Sequence, residues 1–397
     1  MTTIYLIRHA EAEGNVYRRC HGQYDSLLTN RAMDQLPYLA DRFDEVELAA
    51  VYASDLYRAR HTAKAIADRK DLKVRICRDL REIDMCDWED RPWAELKRFE
   101  SEVFEKWSYS PWDCTIPGGE SVMQAGVRVY RALQKLACRH DGESIAVVSH
   151  GTAIRGVLAL AHGLNPEEIG ELGWGDNTCV AKLEFDGEAC RPVYWTDASH
   201  LPEQFSTFAS IGWTDSKDVP KTTQLWFREA DLNDPNDCEL LRRWAREFYM
   251  SAYGSTELLD EDAWMADTAG MSKTPRAVTI GMLEDEPAAL VRLNVLDDSE
   301  PGVGKLGSFI IEAKYRGCGL SPQILGQAIS VYRELGKDWF CAYVAVRNGR
   351  AQGFYRKFGF RNVGVHTTVC GDHFTMMKPI KVHSVEEQCE DFDLSDC

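Results

Sequence analysis

The 397-residue sequence lacks any apolar run near the length of about 18 residues that a membrane-spanning helix needs. Its first residues, "MTTIYLIRHA", show neither a basic leader nor a small-residue cleavage site, so the sequence gives no export signal. The 13 cysteines occur singly, without a CxxC pair or an HExxH motif, which leaves a structural zinc site without support. These absences predict a cytoplasmic protein with free thiols.

Positive charge is also scarce. Lysine and arginine total 46 against 63 aspartates and glutamates, which gives a formal net charge of −17. This balance argues against a nucleic acid or an anionic membrane as partner. A protein this acidic that binds phosphate must gather its cations locally, so arginines are expected to cluster at one site. Residues 381–397 include the acidic run "VEEQCEDFDLSDC", which has few apolar residues. This composition predicts a frayed acidic tail.

The length favours two domains. Up to about residue 200, short apolar runs such as "TIYLIRH" and "SIAVVSHG" alternate with amphipathic stretches, of which 55–70 and 126–140 have helical spacing. This alternation predicts an α/β fold with helices covering a mostly parallel sheet.

The predicted boundaries follow from a change in composition. A polar stretch without periodicity is interpreted as a linker, and a second strand-and-helix pattern begins at "QLWFREADL". The predicted organisation is a first domain at 1–205, a linker at 206–223 and a second α/β domain at 224–380.

Arg8 and His9 stand where the first apolar run ends. An ordinary turn needs no guanidinium beside an imidazole, but the dipeptide alone is compatible either with a loop that ends a strand or with an anion site containing a nucleophile. His150 ends another apolar run. Because reactive groups collect at the carboxyl ends of parallel strands, the two histidines could share one edge of the sheet.

Three further segments contain residues that could bind an anion or donate a proton, or predict a helix start. Arg58 and Arg60 lie at the start of a predicted helix, where an anion is favoured. Glu82, in "LREIDMCDWED", lies beside apolar residues, a setting that can raise a carboxyl pKa enough for general-acid catalysis. The segment "PGGES" predicts a helix start with Ser121 near the N-cap.

This set of motifs, in this order, resembles the histidine phosphatase superfamily over residues 1–201. The resemblance implies a phosphoglycerate mutase-like fold, which is a three-layer α/β sandwich. It also implies that this domain hydrolyses a small phosphate monoester without a metal ion. It implies that His9 is the nucleophile and Glu82 the acid that protonates the leaving alcohol. The implied phosphate contacts are Arg8, Asn15, Arg58, His150 and Gly151.

The sequence departs from the family pattern at a few positions. Ala10 replaces a common glycine, which should be tolerable unless the backbone there needs positive φ. His21 and His61 stand where glutamine is common, and both are interpreted, with His162, as packing or supporting residues. Arg155 follows "HGTAI" and is open to two interpretations, a structural cation or a substrate contact.

Mutase activity is the nearest alternative within the family. Mutases typically carry "ERHYG" followed by "LNK"-like residues around the acid, whereas this sequence reads "LREIDMCDWED". That segment resembles the phosphatase branch, so phosphatase activity is favoured.

The second half has its own motifs. "KYRGCGLSPQILGQAI" (314–329) predicts a glycine-bearing turn before a helix, with Ser321 as N-cap and Pro322 at the first helical position. Together with "VRNGRAQGFYRKFGF" (346–360) and "FREADLNDPND" (227–237), this turn resembles the GNAT acetyltransferase superfamily over 224–380.

The resemblance implies an α/β domain that binds acetyl-CoA and acetylates a small amine. Tyr355 would protonate the departing thiolate, and the strand 308–313 would pair with the pantetheine arm. The implied cofactor contacts are Ile311, Arg316, Gly317, Cys318, Gly319, Leu320, Ser321, Asn348 and Tyr355. Ser321 replaces a usual glycine or alanine, and Glu312 is a candidate for the general base, which the sequence does not identify.

The sequence therefore predicts a bifunctional phosphatase and acetyltransferase. Two alternatives stay open: a phosphatase whose GNAT module senses acyl-CoA without catalysis, and an acetyltransferase that carries a mutase-like phosphotransferase. The oligomeric state is not predicted.

Overall fold

A computed structural model describes residues 1–165, 168–211, 223–382 and 389–391 of the chain. The chain divides into two compact units, the first containing most of residues 1–211 with the strand at 389–391, the second containing residues 223–381. Among the described residues, no helix combines the length and the apolar character needed to cross a bilayer. Most of the predicted linker, from 212 to 222, lies outside the described residues.

The first unit contains a seven-stranded sheet. Its strands are β1 (Thr2–Arg8), β2 (Ala50–Ala53), β3 (Val74–Ile76), β4 (Ser144–Ser149), β5 (Val180–Asp186), β6 (Ala189–Asp197) and, late in the chain, β14 (Cys389–Asp391). Their order across the sheet is β14-β3-β2-β4-β1-β5-β6. The strands from β14 to β1 pair in parallel, and β5 and β6 are antiparallel. The predicted fraying of the tail is therefore wrong for 389–391, because this segment pairs with β3.

Helices cover this sheet. They are α1 (Glu13–Tyr17), α2 (Asn30–Arg42), α3 (Tyr57–Arg69), α4 (Trp93–Phe99), α5 (Ser101–Tyr109), α6 (Val122–Arg139), α7 (Gly151–His162) and α8 (Thr207–Ile211). The predicted helices at 55–70 and 126–140 are confirmed as α3 and as part of α6. The predicted cap is confirmed as well, because the Ser121 hydroxyl accepts the Gln124 amide at 3.1 Å.

The first unit extends past the predicted domain end at 205. The Gln35 side chain donates to the Phe205 carbonyl at 2.9 Å and to the Thr207 hydroxyl at 3.1 Å, which fixes the start of α8 on α2. Residues 207–211, predicted as linker, are therefore helical, held by a buried glutamine that lies 172 positions earlier in the sequence than Thr207.

The second unit contains another seven-stranded sheet. Its strands are β7 (Trp226–Glu229), β8 (Val278–Leu283), β9 (Glu286–Asn294), β10 (Val303–Ile311), β11 (Trp339–Ala345), β12 (Arg361–Thr368) and β13 (Gly371–Pro379). Their order across the sheet is β12-β13-β11-β10-β9-β8-β7. Its helices are α9 (Pro235–Tyr253), α10 (Glu261–Met271), α11 (Ser321–Glu334) and α12 (Gly349–Lys357). Trp244 of α9 and Trp264 of α10 pack with Ile280, Leu290 and Ile310 in one core.

One irregularity of this sheet creates a site. β10 and β11 pair in parallel from Val303 to Lys305, opposite Trp339 to Cys341, and they diverge beyond those positions. A register shift between Leu306 and Ser308 marks a bulge in β10 where the divergence begins. The diverging strands leave unpaired backbone groups on either side of a gap.

Candidate active sites

The carboxyl ends of β1 and β4 bring the first group of functional residues together. Arg8 faces Ser149 in the register of the two strands, so the residues that follow, His9 and His150, lie side by side. Their ring centroids are 5.2 Å apart, with a 57° angle between the ring planes. The prediction that the two histidines share one edge of the sheet is confirmed.

The His9 ring is fixed in one tautomer. Its Nδ1 lies 2.7 Å from the carbonyl oxygen of Ala10, and because a carbonyl only accepts, Nδ1 carries the proton. The Nε2 lone pair is therefore free to attack. Burial, reinforced by Arg58 and Arg8, holds the pKa of His9 well below its usual value. His9 is thus a neutral imidazole with an available lone pair.

His150 is the N-cap residue of α7 and is fully buried. Within the described part of the chain, neither of its ring nitrogens has a hydrogen-bond partner. Burial, followed by the charge of Arg58 and the neighbouring His9, lowers its pKa well below the usual value. His150 is therefore neutral in this structure, in which the arginines supply the positive charge.

Arg58, in the first turn of α3, is buried against a loop. Its Nη1 donates to the Tyr24 carbonyl at 2.9 Å, and its Nη2 donates to the Gly22 carbonyl at 2.7 Å. The carboxylate of Glu89 fixes this loop by accepting the amides of Gly22, Gln23 and Tyr24 at 3.0, 2.6 and 2.8 Å. Sequence reasoning missed Glu89, which holds the loop on which Arg58 rests.

Arg8 is held by the loop that precedes β5, the strand beside β1. Its Nη1 donates to the Gly175 carbonyl at 2.5 Å, and Asn177 Nδ2 donates to the His9 carbonyl at 2.8 Å. Gly151 lies against the guanidinium, where an added Cβ would come within 3.3 Å of Arg8 Nε. Sequence reasoning missed the loop, although the polar run "GDNT" before an apolar strand is a detectable signal.

Glu82 lies at the N-terminus of α7, beside the histidines. Its carboxylate accepts the amides of Thr152 at 3.1 Å, Ala153 at 2.8 Å and Ile83 at 3.0 Å. Burial raises the pKa of Glu82, while these amides and Arg58 oppose the increase. The side chain is therefore a fixed carboxyl whose protonated form is favoured more than in an exposed glutamate.

The Asn15 side chain has a local role. Its side-chain oxygen accepts the Ala12 amide at 2.9 Å and so caps α1, which leaves its amide group for other contacts. His21 is held between the Ser26 hydroxyl and the Asp90 carboxylate, each at 3.1 Å. Its supporting position agrees with the interpretation from sequence.

The other predicted packing residues also have partners. His61 stacks on Tyr57 with centroids 3.8 Å apart, and His162 packs edge-on against Trp195 at 4.4 Å. The backbone of Ala10 does not adopt positive φ, so the replacement of glycine causes no strain there.

Arg155 is one turn along α7 from Gly151 and is only 7% exposed. Its guanidinium carbon lies 4.0 Å from the Trp174 ring centroid and 5.0 Å from that of Trp112, and Nη2 donates to the Ile169 carbonyl at 3.2 Å. Burial lowers its pKa to about 10. This packing favours the interpretation of Arg155 as a structural cation. Its interpretation as a substrate contact stays a prediction.

Among the residues that the structure describes, no three histidine, cysteine, aspartate or glutamate side chains are grouped as ligands for a metal ion.

The second unit contains a cavity of about 310 Å³ between the diverging ends of β10 and β11. Its walls include the bulge residues Gly307 and Ser308, and the Ser308 hydroxyl is buried without a partner among the described residues. Of the predicted cofactor contacts, the cavity lining includes Ile311, Arg316, Gly317, Ser321, Asn348 and Tyr355.

The glycine-bearing turn lies at one end of this cavity. Gly317 and Gly319 adopt φ of +83° and +75°, a region that favours glycine, so the turn exposes backbone amides in front of α11. Arg316 is held by an ion pair with Glu247 and by a 3.0 Å hydrogen bond from Nε to the Ile311 carbonyl. The turn and the unpaired strand edge fit the pyrophosphate and pantetheine of acetyl-CoA.

Two details of the turn differ from the prediction. The helix has Leu320 as its N-cap residue and begins at Ser321, so Ser321 is not the cap. The Leu320 side chain is buried in the protein. The cavity lining formed by the described residues does not include Cys318, Gly319 or Leu320. These three residues would therefore contact the cofactor through the backbone of the turn and not through their side chains.

Five residues of the "VRNGRAQGFYRKFGF" motif line the cavity, and two of them, Asn348 and Tyr355, are predicted cofactor contacts. The Asn348 side chain accepts the Ala351 amide at 3.0 Å and caps α12, a local role that sequence reasoning missed. Tyr355, further along α12, packs edge-on against Phe360, and burial raises its pKa. Tyr355 therefore stays protonated, as a proton donor must.

Glu312 does not act as a free carboxylate. It accepts hydrogen bonds from Arg243 Nη2 at 2.5 Å and from the Trp244 indole at 2.7 Å. Burial acts to raise its pKa, but these two donors lower it overall. An ion-paired carboxylate of this kind is a weak base, which argues against the candidate base suggested from sequence.

Comparisons with known proteins match a different family in each part of the chain. The model of the histidine phosphatase superfamily (branch 1) matches residues 4–198, and that of the acetyltransferase (GNAT) family matches 238–360. Phosphoglycerate mutase-like protein 4 from Arabidopsis thaliana is 34% identical over 203 residues, covering 50% of this chain and 87% of the relative.

Two further similarities lie in the first half. A metal-independent phosphoserine phosphatase from Arabidopsis thaliana is 32% identical over 209 residues, covering 51% of this chain and 84% of the relative. The solved structure of YhfR from Bacillus stearothermophilus is 30% identical with a TM-score of 0.49, covering 50% of this chain and 99% of that protein.

Proposed function

The chain belongs to the histidine phosphatase superfamily, and from that premise we propose that its first half is a metal-independent phosphomonoesterase. Its substrate is a small phosphorylated metabolite, and His9 carries the phosphoryl group between two half-reactions. The observation that supports this most is the neutral His9 ring, whose proton is fixed on Nδ1 while Arg8 and Arg58 supply positive charge beside it.

In the first half-reaction, His9 Nε2 forms a bond to phosphorus as the bond from phosphorus to the ester oxygen breaks. Glu82 gives its proton to the leaving oxygen, which becomes an alcohol. Arg8 and Arg58 stabilise the charge on the phosphoryl oxygens. The negative phosphate also favours the protonated form of His150, because its charge offsets the repulsion between the imidazolium and the two arginines.

In the second half-reaction, water attacks the phosphorus and the bond to His9 Nε2 breaks. The Glu82 carboxylate accepts the proton that the water loses, so the acid is restored for the next turnover. Hydrogen bonds from Thr152, Ala153 and Ile83 keep the carboxylate in place through this cycle.

Hydrolysis is favoured over mutase activity. The segment after Glu82 resembles the phosphatase branch, and one relative is named as a metal-independent phosphoserine phosphatase. Another relative carries the name of a phosphoglycerate mutase-like protein, so phosphoryl transfer between phosphoglycerates is the alternative to test. Phosphoserine and phosphoglycerate are therefore the first substrates to compare.

The second half is proposed as an acetyl-CoA-dependent N-acetyltransferase with a small amine as acceptor. Bound acetyl-CoA supplies an activated acetyl group. The turn at Arg316–Ser321 and the open edge of β10 hold the cofactor, and Tyr355 provides a proton for the departing thiolate. If this unit instead only senses acyl-CoA, it will bind the cofactor without transferring the acetyl group.

The proposal is tested with the full chain. Phosphate release from phosphoserine, 3-phosphoglycerate and p-nitrophenyl phosphate is measured with and without a chelator, alongside transfer of labelled acetyl groups to small amines. Chelator-resistant phosphate release supports the phosphatase. Loss of activity with the chelator and its restoration by magnesium contradict it, and phosphoryl exchange without net release favours the mutase.

A further inference from the structure

Tyr253 and His373 form a polar pair at the cavity of the second unit. Tyr253, the last residue of α9, lines the cavity, and its hydroxyl lies 3.2 Å from Nε2 of His373 on β13. His373 is only 3% exposed, so it meets the cavity through the tyrosine. Neither residue is among those suggested by the family resemblance.

The direction of the hydrogen bond follows from the other side of the imidazole. His373 Nδ1 lies 2.9 Å from the Gly371 carbonyl oxygen, which can only accept. Nδ1 therefore carries the ring proton, and Nε2 presents a lone pair. The Tyr253 hydroxyl must donate to Nε2, so the pair is oriented to move a proton from the cavity into the protein.

Three side chains from neighbouring segments surround the Tyr253 ring. Tyr249 precedes Tyr253 by one turn of α9, Cys370 contacts it from the turn between β12 and β13, and the Arg347 guanidinium carbon lies 5.9 Å from its ring centroid. Burial, with Cys370 next, raises the pKa of Tyr253 to about 12. The tyrosine is thus suited to pass a proton on, with the imidazole as the final acceptor.

The position of the pair also complements the proposed acid. Tyr253 on α9 and Tyr355 on α12 line the same cavity. Glu312, the candidate base from sequence, is occupied by Arg243 and Trp244. The cavity thus contains two tyrosines with different surroundings. Tyr355 is buried and can donate a proton, whereas Tyr253 is hydrogen-bonded to the His373 imidazole, which can accept one.

We propose that Tyr253 is the catalytic residue that accepts the proton of the amine acceptor and that His373 is the positioning residue that receives the proton in turn. As the amine nitrogen bonds to the acetyl carbonyl carbon, the amine proton moves to the Tyr253 oxygen while the Tyr253 hydroxyl proton moves to His373 Nε2. The bond from the acetyl carbon to sulfur then breaks, and Tyr355 protonates the departing thiolate. The His373 imidazolium returns its proton to the cavity through Tyr253 before the next turnover. This inference rests on the proposed acetyltransferase function.

The test uses the full-length protein with Tyr253→Phe, His373→Gln and the control Tyr249→Phe, which alters a neighbouring tyrosine outside the cavity lining. Probes are acetyl-CoA with an alkylamine and with hydroxylamine, which is already neutral at pH 7. Removing a general base typically costs about a hundredfold or more in rate. We expect Tyr253→Phe to lower kcat with the alkylamine by that amount and to leave acetyl-CoA binding, measured by calorimetry, unchanged.

A merely structural role would not change the pH profile. We expect the pH profile of kcat/KM to differ between the wild type and His373→Gln, because the variant lacks the ring nitrogen that accepts the Tyr253 proton. Nitrogen NMR should show the His373 ring protonated on Nδ1 at neutral pH, with a spectrum that shifts in Tyr253→Phe.

The outcomes distinguish a failure of the Tyr253–His373 pair from a failure of the proposed acetyltransferase function. Equal rates for Tyr253→Phe and Tyr249→Phe, or a His373 ring protonated on Nε2 alone, overturn the pair and leave the acetyltransferase standing. A wild-type protein that binds acetyl-CoA but acetylates neither amine overturns the proposed acetyltransferase, and with it the reaction that the pair would serve.

Discussion

The rings of His9 and His150 lie 5.2 Å apart between centroids at the ends of two neighbouring parallel strands, and both are buried and neutral. Their neutrality has one dominant cause, which is burial, and the charge of Arg58 comes next for each ring. A site of this kind attracts phosphate through its arginines while it keeps the nucleophile unprotonated. The same neutrality makes the stability of the protein depend on pH.

The first prediction concerns this pH dependence. In the unfolded chain each histidine titrates near pH 6.5, whereas the folded protein holds both pKa values lower. Below about pH 6.5 the unfolded state therefore binds more protons, and the free energy of unfolding falls by up to about 1.4 kcal/mol per pH unit for each histidine. Above that pH both states are neutral and the contribution is constant.

Urea unfolding at a series of pH values between 5 and 8 measures the effect. His150→Gln should have a shallower loss of stability on acidification than the wild type, because one titrating group is removed. Identical slopes for the two proteins would mean that His150 carries a proton in the folded state.

The second prediction concerns Glu82. Glu82→Gln cannot donate a proton, so it should slow the hydrolysis of alkyl phosphates by about a hundredfold or more and that of p-nitrophenyl phosphate much less. Burial raises the pKa of Glu82, so wild-type kcat/KM should decline as pH rises through that pKa, and the decline should be absent in the variant.

Glu105→Gln, at an exposed position of α5, serves as the control for Glu82→Gln. Equal losses for alkyl and aryl phosphates would show that Glu82 is structural, despite its hydrogen bonds to Thr152 and Ala153.

The third prediction concerns the loop that holds Arg58. Glu89→Gln replaces one acceptor oxygen by an amide group that faces the backbone donors of Gly22, Gln23 and Tyr24. Hydrogen bonds to a charged group typically contribute about 1.5–3 kcal/mol, so we expect a loss of stability of that order. Because Arg58 rests on the carbonyls of this loop, KM for phosphate esters should rise.

Thermal unfolding and steady-state kinetics on Glu89→Gln check both effects. If the variant loses stability while its KM stays at the wild-type value, the loop does not position Arg58 for the substrate.

The fourth prediction separates the two units. Gly319→Asp places a carboxylate in the turn in front of α11, where it would repel a pyrophosphate. The matched control is Gly336→Asp, because Gly336 also has positive φ, +73° against +75°, with open space around it, but follows the other end of α11. Both changes carry a similar backbone cost.

Calorimetric titration with acetyl-CoA should show loss of binding in Gly319→Asp and retention in Gly336→Asp. Phosphatase activity should be unchanged in both. A loss of phosphatase activity in folded Gly319→Asp protein would mean that the two functions are coupled.

Sequence reasoning found the groups that lie at strand ends and helix starts, since strand order and helical spacing place them. Arg8, His9 and His150 follow apolar runs, and Arg58 begins a periodic segment, so their convergence could be predicted. Glu89 could not be found this way, because it binds backbone amides 65 to 67 positions away, whereas Asn177 was missed although the polar run "GDNT" marks its loop.

The remaining differences have similar causes. Residues 389–391 form a strand because β3 offers them an unpaired edge, which composition does not reveal. Residues 207–211 are helical because of the buried Gln35. The contact between Tyr253 and His373 joins positions 120 residues apart, so no local pattern announces it.

The central claim is that His9 carries the phosphoryl group. The direct measurement is to quench the full-length protein in alkali during turnover of a radiolabelled phosphate monoester and to map the labelled residue. We predict an alkali-stable, acid-labile label on His9, absent from His9→Ala, which should still bind acetyl-CoA. A folded His9→Ala protein that hydrolyses the ester at the wild-type rate, or a label on any residue other than His9, would contradict the account.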